Sequence, residues 1–460
     1  MLKKIWHKIT GGKNGATTKK TIPQGQCRIT KKHISPAAEQ AVSRLQEAGY
    51  EAYIVGGAVR DLLIGKTPKD YDIATNATPS EIRALFKRSR IIGRRFPIVH
   101  IVIGRETIEA ATFRSGGEIV QNAQGRIMKD NGYGTLDEDA QRRDFTCNAL
   151  YFDPVKGEIT DFHNGVEDIL ARRLVIIGEP AERYREDPVR ILRAVRLSAK
   201  LDFAIEETTA APIPHYAERL KDEPSARLFD EIQKVLQSGY AGRCLEQFRL
   251  LNIPPHIHPL LDALLQAAGG GRPDIINATL KNTDERVRTD KSVSIGFILA
   301  CLMWDGIDSL WQKHIRHGAK PAPAMGKAIT ELKETATTEK GWGIPQKFIH
   351  TMHEIWILQP QFQNRCGARP YRLLAQERFR AAYDFLVLRT KFGQADKELA
   401  DWWDRFQHAD QEQRAAMIHE QHTIKSQANA AQGQRKKRKK TAKKTENKSN
   451  LTPPPSKGGD

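Results

Sequence analysis

VGGAVRDLLIGKTPKDYDIAT, Val55 to Thr75, joins a glycine turn to a pair of aspartates within one short segment. A strand ends in Gly56-Gly57 and passes directly into a short helix, AVRDLL. Two glycines there let backbone amides approach a phosphate, and the helix start favours anions. Arg60 lies one turn into that helix, placed to clamp a triphosphate. Asp70-Tyr71-Asp72 follows. Residues two apart in a strand share a face, so both carboxylates project together while Tyr71 and Ile73 point into the core. Adjacent carboxylates repel unless a cation sits between them, and a Mg²⁺ pair bridging them to phosphate oxygens is the natural solution. A bare DxD is as readily a solvated strand end. Coupled to a Gly-Gly turn upstream, it reads as a nucleotide–metal site.

Outward from this stretch the pattern stays mixed. YIVGG, DYDIAT, IVHIVIG and ETIEAATF have strand periodicity. Ser35-Pro36 opens an amphipathic helix reaching about Ala48, with Ser as the cap. Thr78-Pro79-Ser80-Glu81 is a capping-box start for a helix running to about Lys87. From Glu179 to Ile418 helical periodicity dominates, with no convincing strand. The fold class expected is therefore α+β: a small mixed β-sheet with helices over residues 34–178, then an all-α part.

Further acidic and basic candidates follow. Glu109 in ETIEAATF has apolar Ile108 and Ala110 on the opposite face, and a buried-edge Glu is costly without a metal or basic partner. In QRRDFTCNALYF, Thr135 and Glu138 open a helix along which Arg142, Arg143 and Asp144 fall; Arg143 could meet phosphate or ribose while Asp144 supports a metal centre. The alternative is an ordinary helix surface. In ERYREDPVRILRAVRL, Asp187-Pro188 starts a helix, and Arg190, Arg193 and Arg196 recur every three residues beside an apolar stripe. Stacked arginines call for a polyanion or acidic partners. Asp187 and Arg190 are close enough to form a donor–acceptor pair facing a base edge; the bland alternative is an N-cap beside solvated arginines. His256 and His258, with no third ligand nearby, read as surface residues, and Trp402-Trp403 as helix packing.

Charge separates the ends from the middle. Residues 1–33 hold nine Lys or Arg and no acid, and residues 425–460 hold eleven against two acids. The two ends thus carry the whole formal charge of +18, and the interior is balanced. Both read as disordered basic tails that attract polyanions through counterion release, above all Arg435, Lys436, Lys437, Arg438, Lys439 and Lys440. LKKIWHKI, with Leu2, Ile5, Trp6 and Ile9 on one side, is a candidate for weak contact with an anionic membrane surface. The longest apolar stretch, Ile295 to Trp304, is about half of a membrane span, so no transmembrane segment is expected. Without a signal-peptide core, and with five cysteines lacking any CxxC pair, the chain is expected in the cytoplasm.

GGAVRD plus DYD, then RRDFTCNALYF, then EDPVRILRAVR, together resemble the class II nucleotidyltransferase superfamily of tRNA CCA-adding enzymes and bacterial poly(A) polymerases, over about residues 54–200. The resemblance implies a catalytic head (34–178), a helical neck that recognises the nucleotide base (179–240) and an all-α RNA-binding body (241–424). It implies Asp70 and Asp72 as holders of Mg²⁺ (or Mn²⁺), Asp144 and then Glu109 as acidic supports, and ATP as substrate. Gly56, Gly57, Arg60, Arg143, Asp187, Arg190, Arg193 and Arg196 would line the nucleotide pocket. Between the branches, IIGRRFPIVHIVIG (Ile91–Gly104) resembles the poly(A) polymerase signature G-[RK]-[RK]-F, with Arg94 and Arg95 expected on RNA; Pro97 departs from it. Ala368–Thr390, the downstream ADWW and the basic tail fit the same branch. Polyadenylation of RNA 3′ ends, of mRNA and small RNAs, is the implied activity, with CCA addition to tRNA as the alternative. RNA-decay or RNA-chaperone proteins are candidate helpers.

Overall fold

The computed structural model describes residues 19–26, 29–93, 97–115, 120–121, 127–129, 132–269, 275–336 and 341–427. Arg94, Arg95, the Arg435–Lys440 run and LKKIWHKI lie outside them. The chain divides into two compact units, residues 1–270 with 280–293, and residues 271–279 with 294–460.

The first unit is built on a mixed sheet. Its strands are β1 (Lys20–Ile22), β2 (Ala52–Val55), β3 (Asp72–Thr75), β4 (Ser89–Ile92), β5 (Ile98–Ile103) and β6 (Glu106–Thr112), with β9 (Leu150–Asp153) and β10 (Glu158–Asp161); β7 (Val120–Gln121) and β8 (Ile127–Lys129) form a separate ribbon. Among the described residues the order is β1-β10-β9-β2-β3-β6-β5-β4, and β3–β6 is the parallel pair. Period-two burial sets the faces. Ile73 on β3 and Ile108 and Ala110 on β6 are buried, while Asp72 and Glu109 face out.

The helix Pro36–Glu47 packs on β2, β3 and β6 through Ala38, Ala41, Val42 and Leu45. Ser35 Oγ caps it, accepting from Ala37 and Ala38 amides at 3.1 and 3.3 Å, a contact of about 1 kcal/mol. The capping box at Thr78 and Glu81 forms on the Pro79–Leu85 helix. Both starts lie where the sequence puts them.

Three expectations need correction. The helix after Thr135 ends at Gln141, so Arg143 and Asp144 follow it rather than lie on it. The region after Glu179 contains a strand after all: β12 (Ala204–Ile205) pairs in parallel with β11 (Arg173–Leu174). Two residues are too few for periodicity to register. His258 is buried, its Nδ1 accepting from the Leu260 amide at 3.2 Å, so it is no surface residue.

In the second unit, which is helical, the Lys397–His408 helix buries both Trp402 and Trp403. Trp402 stacks on Phe406, and Trp403 Nε1 donates to the Phe362 carbonyl at 2.8 Å, satisfying its one polar atom. No helix of the described residues is long and apolar enough to cross a membrane.

Candidate active site

The sheet brings the turn and the carboxylates side by side. β2 ends at Val55, opposite Asp72 on β3. Asp72 in turn stands beside Glu109 on β6, and Glu109 beside His100 on β5. Gly56 therefore begins its turn one residue past the level of Asp72. It has φ +74° and ψ −131°, a backbone that an L side chain resists. The main chain then enters the helix Gly57–Leu63, with Arg143 Nη1 and Arg60 Nη2 lying 3.7 and 3.3 Å from where a Cβ would stand on Gly56 and Gly57.

Asp70 and Asp72 are both exposed, and buried Tyr71 between them donates its hydroxyl to the His33 carbonyl at 3.0 Å. β3 starts at Asp72, so Asp70 lies in the approach to the strand rather than on it. Asp72 keeps contact with solvent, yet the protein crowding its carboxylate pushes its pKa up to about 6; Glu109 and Asp70 add repulsion and Arg143 opposes them. Glu109 is not the buried-edge acid expected. It is half-exposed and pairs with His100 Nε2 at 3.1 Å, so solvent and an imidazole meet its charge.

Among the described residues no three His, Cys, Asp or Glu side chains are gathered closely enough to hold a metal alone. The donor chemistry still fits Mg²⁺, which is commonly held by one or two carboxylates, waters and substrate phosphates. Asp70 and Asp72 supply two carboxylates, and the raised Asp72 marks a negative locus that the protein leaves under-neutralised.

Beside this row, the basic groups are engaged by the protein. Arg143 donates to Asp139 at 2.8 Å, to the Tyr151 hydroxyl at 2.9 Å and to the Asn148 carbonyl at 3.4 Å. Burial works against the Asp139 charge, but Arg143, Tyr151 and Arg142 outweigh it and hold the carboxyl below its usual range. Arg60 is buried, donating to Asp61 at 2.7 and 2.9 Å and to Asn148 Oδ1 at 2.6 Å. It is thus engaged by the protein beneath the turn, where the sequence suggests a triphosphate clamp. Asp144 Oδ1 accepts from the Phe145 amide at 2.8 Å and from Asn148 Nδ2 at 3.2 Å.

The arginine stripe lies on the helix Val189–Leu201, and acids from elsewhere meet it. Arg190 donates to the Arg183 carbonyl and to Glu186 at 2.7 and 3.1 Å. Arg193 and Arg196 converge on buried Glu231 of the Ser225–Leu236 helix, each at 3.4 Å, and Arg193 Nη1 also lies 3.8 Å from Asp144. The Asp187 and Arg190 side chains, expected to face one base edge together, are each held by another residue. Asp187 accepts from Arg227 at 2.8 Å and from the Val189 amide at 3.2 Å, while Arg190 reaches back to the preceding helix, Pro180–Glu186. Asn148, Tyr151, Arg183, Arg227 and Glu231 escaped the sequence reading. Only Glu231 carried a signal, an acid on the apolar face of SARLFDEIQKVL.

Comparison with known proteins places the chain in a family. Family models match in three places: the Poly A polymerase head domain over residues 52–175, the probable RNA and SrmB- binding site of polymerase A over 202–265, and the Polymerase A arginine-rich C-terminus over 317–444. Poly(A) polymerase I of Salmonella typhi is 39% identical over 411 residues, covering 87% of this chain and 88% of that one. The Haemophilus influenzae Poly(A) polymerase I is 37% identical, covering 88% and 92%. A CCA-adding enzyme of Lactobacillus helveticus is 40% identical over only 200 residues, 43% of this chain and 49% of that one. The fold is similar to solved tRNA-processing enzymes, an apo form at TM-score 0.53 (20% identity, 83% and 96% of the two chains) and a CTP complex at 0.52 (22%, 80% and 92%). Similarity that runs through nearly the whole of both chains makes this protein a member of the poly(A) polymerase I family of nucleotidyltransferases.

Proposed function

We propose that this protein adds AMP units from ATP to RNA 3′-hydroxyls without a template, releasing pyrophosphate, as a cytoplasmic enzyme of mRNA and small-RNA processing. The observation that carries the reading is the extent of likeness. Enzymes named Poly(A) polymerase I match through the C-terminal region, whereas the Lactobacillus helveticus CCA-adding enzyme matches over less than half of the chain.

Asp70 and Asp72 would hold the divalent metal, Mg²⁺ or Mn²⁺. Bound there, it would acidify the attacking 3′-hydroxyl and offset charge on the phosphates. The bare main chain of Gly56-Gly57 gives the triphosphate a close approach beside these carboxylates. Asp144, which Arg193 approaches to 3.8 Å, would support the metal, and Arg193 and Arg196 would line the nucleotide pocket. Base selection falls to Asp187 and Arg190, each preset by another residue, Arg227 and Glu186. Preset polar groups discriminate well, since a wrong base leaves them unpaired. Glu109, already paired with His100, ranks behind Asp144 as the supporting acid. Arg94, Arg95 and the basic tails supply sequence-independent attraction to RNA.

Incubating the full chain with a random RNA and ATP alone tests this. Long oligo(A) extensions are expected. No product until CTP and tRNA are added would replace the reading with CCA addition, the activity for which several relatives are named.

A further inference from the structure

Asn148 faces no nucleotide in the proposed mechanism, yet it bonds Asp144, Arg60 and Arg143 and lies against the Gly56 turn. It closes the short turn Thr146–Asn148 between the RRD segment and β9. Its Oδ1 accepts from Arg60 Nη1 at 2.6 Å, and its Nδ2 donates to Asp144 Oδ1 at 3.2 Å. Its carbonyl accepts from Arg143 Nη1 at 3.4 Å and lies against the Gly56 turn, where a Cβ would stand 3.8 Å away.

The chemistry gives this contact a direction. A primary amide has one accepting and one donating end, a guanidinium only donates, and an ionised carboxylate only accepts. Arg60 therefore settles which end of the Asn148 amide faces Asp144. A flipped amide would set donors against donors and acceptors against an acceptor. Arg60 cannot yield, because it is buried and its Nε and Nη2 are tied to Asp61 at 2.9 and 2.7 Å.

We propose that Asn148 is a positioning residue, holding Asp144 in register with the Gly56 turn through the chain Asp61–Arg60–Asn148–Asp144. The inference rests on the role of Asp144 in nucleotidyl transfer proposed above. It explains why a buried arginine stands beneath the turn: tied to Asp61, it is the fixed point of the chain. It also assigns Arg60 an indirect part in place of the triphosphate contact expected from sequence.

Two substitutions separate positioning from mere support. Asn148→Ala leaves Asp144 and Arg60 each short of one partner. Asn148→Asp keeps an acceptor for Arg60 but turns a like charge towards Asp144. Positioning requires Asn148→Asp to be the worse enzyme: about 100-fold down in kcat for AMP incorporation at pH 8, against about tenfold for Asn148→Ala. It also requires the Tm of Asn148→Asp to stay at or above that of Asn148→Ala. A purely structural role gives the opposite activity order, since the Asp variant still satisfies buried Arg60; that order, or unchanged kcat in both variants, overturns the proposal. A thermal cycle of Asn148→Ala with Asp144→Ala, without substrates, supplies an independent readout. The Tm losses should fail to add by more than about 2 °C, and strict additivity overturns the link. A wild-type chain that transferred no AMP would sink the polyadenylation reading instead, and the thermal cycle would then decide this one.

Discussion

The end of β3 and the helix Val189–Leu201 are both lines of like charge, and the protein treats them in opposite ways. At the start of β3, Asp70 and Asp72 are open to solvent beside Glu109, and Asp72 is pushed up to about 6 against the pull of Arg143. On the helix, Arg190 is met by Glu186, and Arg193 and Arg196 by buried Glu231, whose charge Lys234 and both arginines hold below its usual range against burial. One line is left unbalanced and open to solvent. The other is closed by acids from elsewhere in the chain. An uncompensated cluster that persists in a folded protein marks where a ligand belongs, whereas a compensated one sets geometry.

Removing the unbalanced carboxylates should have the largest effect. Asp70→Ala is expected to lower AMP incorporation by about 1000-fold or more, leaving RNA affinity in a filter-binding assay within about twofold. Retained incorporation would sink the metal assignment. Next in size is the compensated line. Glu231→Ala takes the shared buried acid from half-buried Arg193 and Arg196 and should cost about 2 kcal/mol in a denaturant melt; a loss below about 1 kcal/mol would mean that the stripe is solvated and the contrast false.

Asp72→Asn sharpens the comparison in the other direction. A carboxyl whose folded pKa lies above its unfolded value destabilises the fold when ionised. The penalty is complete above about pH 6 and fades as pH falls towards the unfolded value. Metal-free Asp72→Asn should therefore be more stable than wild type at pH 8 by about 1 kcal/mol, after discounting for solvent screening. The gap should close as pH falls below 6, and added Mg²⁺ should raise the Tm of wild type only. The smallest effect expected is from His100→Gln, which unpairs half-exposed Glu109: below about 0.5 kcal/mol in stability. A larger loss would move Glu109 into the working set.

Much of the site was legible because it is local. Gly56-Gly57 and Asp70-Tyr71-Asp72 announce themselves within one short stretch, and Ser35 and Thr78 cap the helices that their neighbours predict. Where a side chain can choose between partners, local reading gives no answer. Arg60 and Asp187 each take a partner far along the chain, Asn148 in one case and Arg227 in the other.

By itself, then, the sequence determined the α+β order, the strand–turn–helix with its paired aspartates, the arginine periodicity and the two basic ends. These follow from backbone preference and period-two or helical spacing, which act over a few residues. The tertiary structure alone decided which charges stay open. Pairing β2 with β3 and β3 with β6 set Gly56, Asp72 and Glu109 in one row, and packing the Ser225–Leu236 helix on Val189–Leu201 delivered Glu231 to the arginines. A charge at the surface can wait for a ligand, but a buried one must find its partner within the fold.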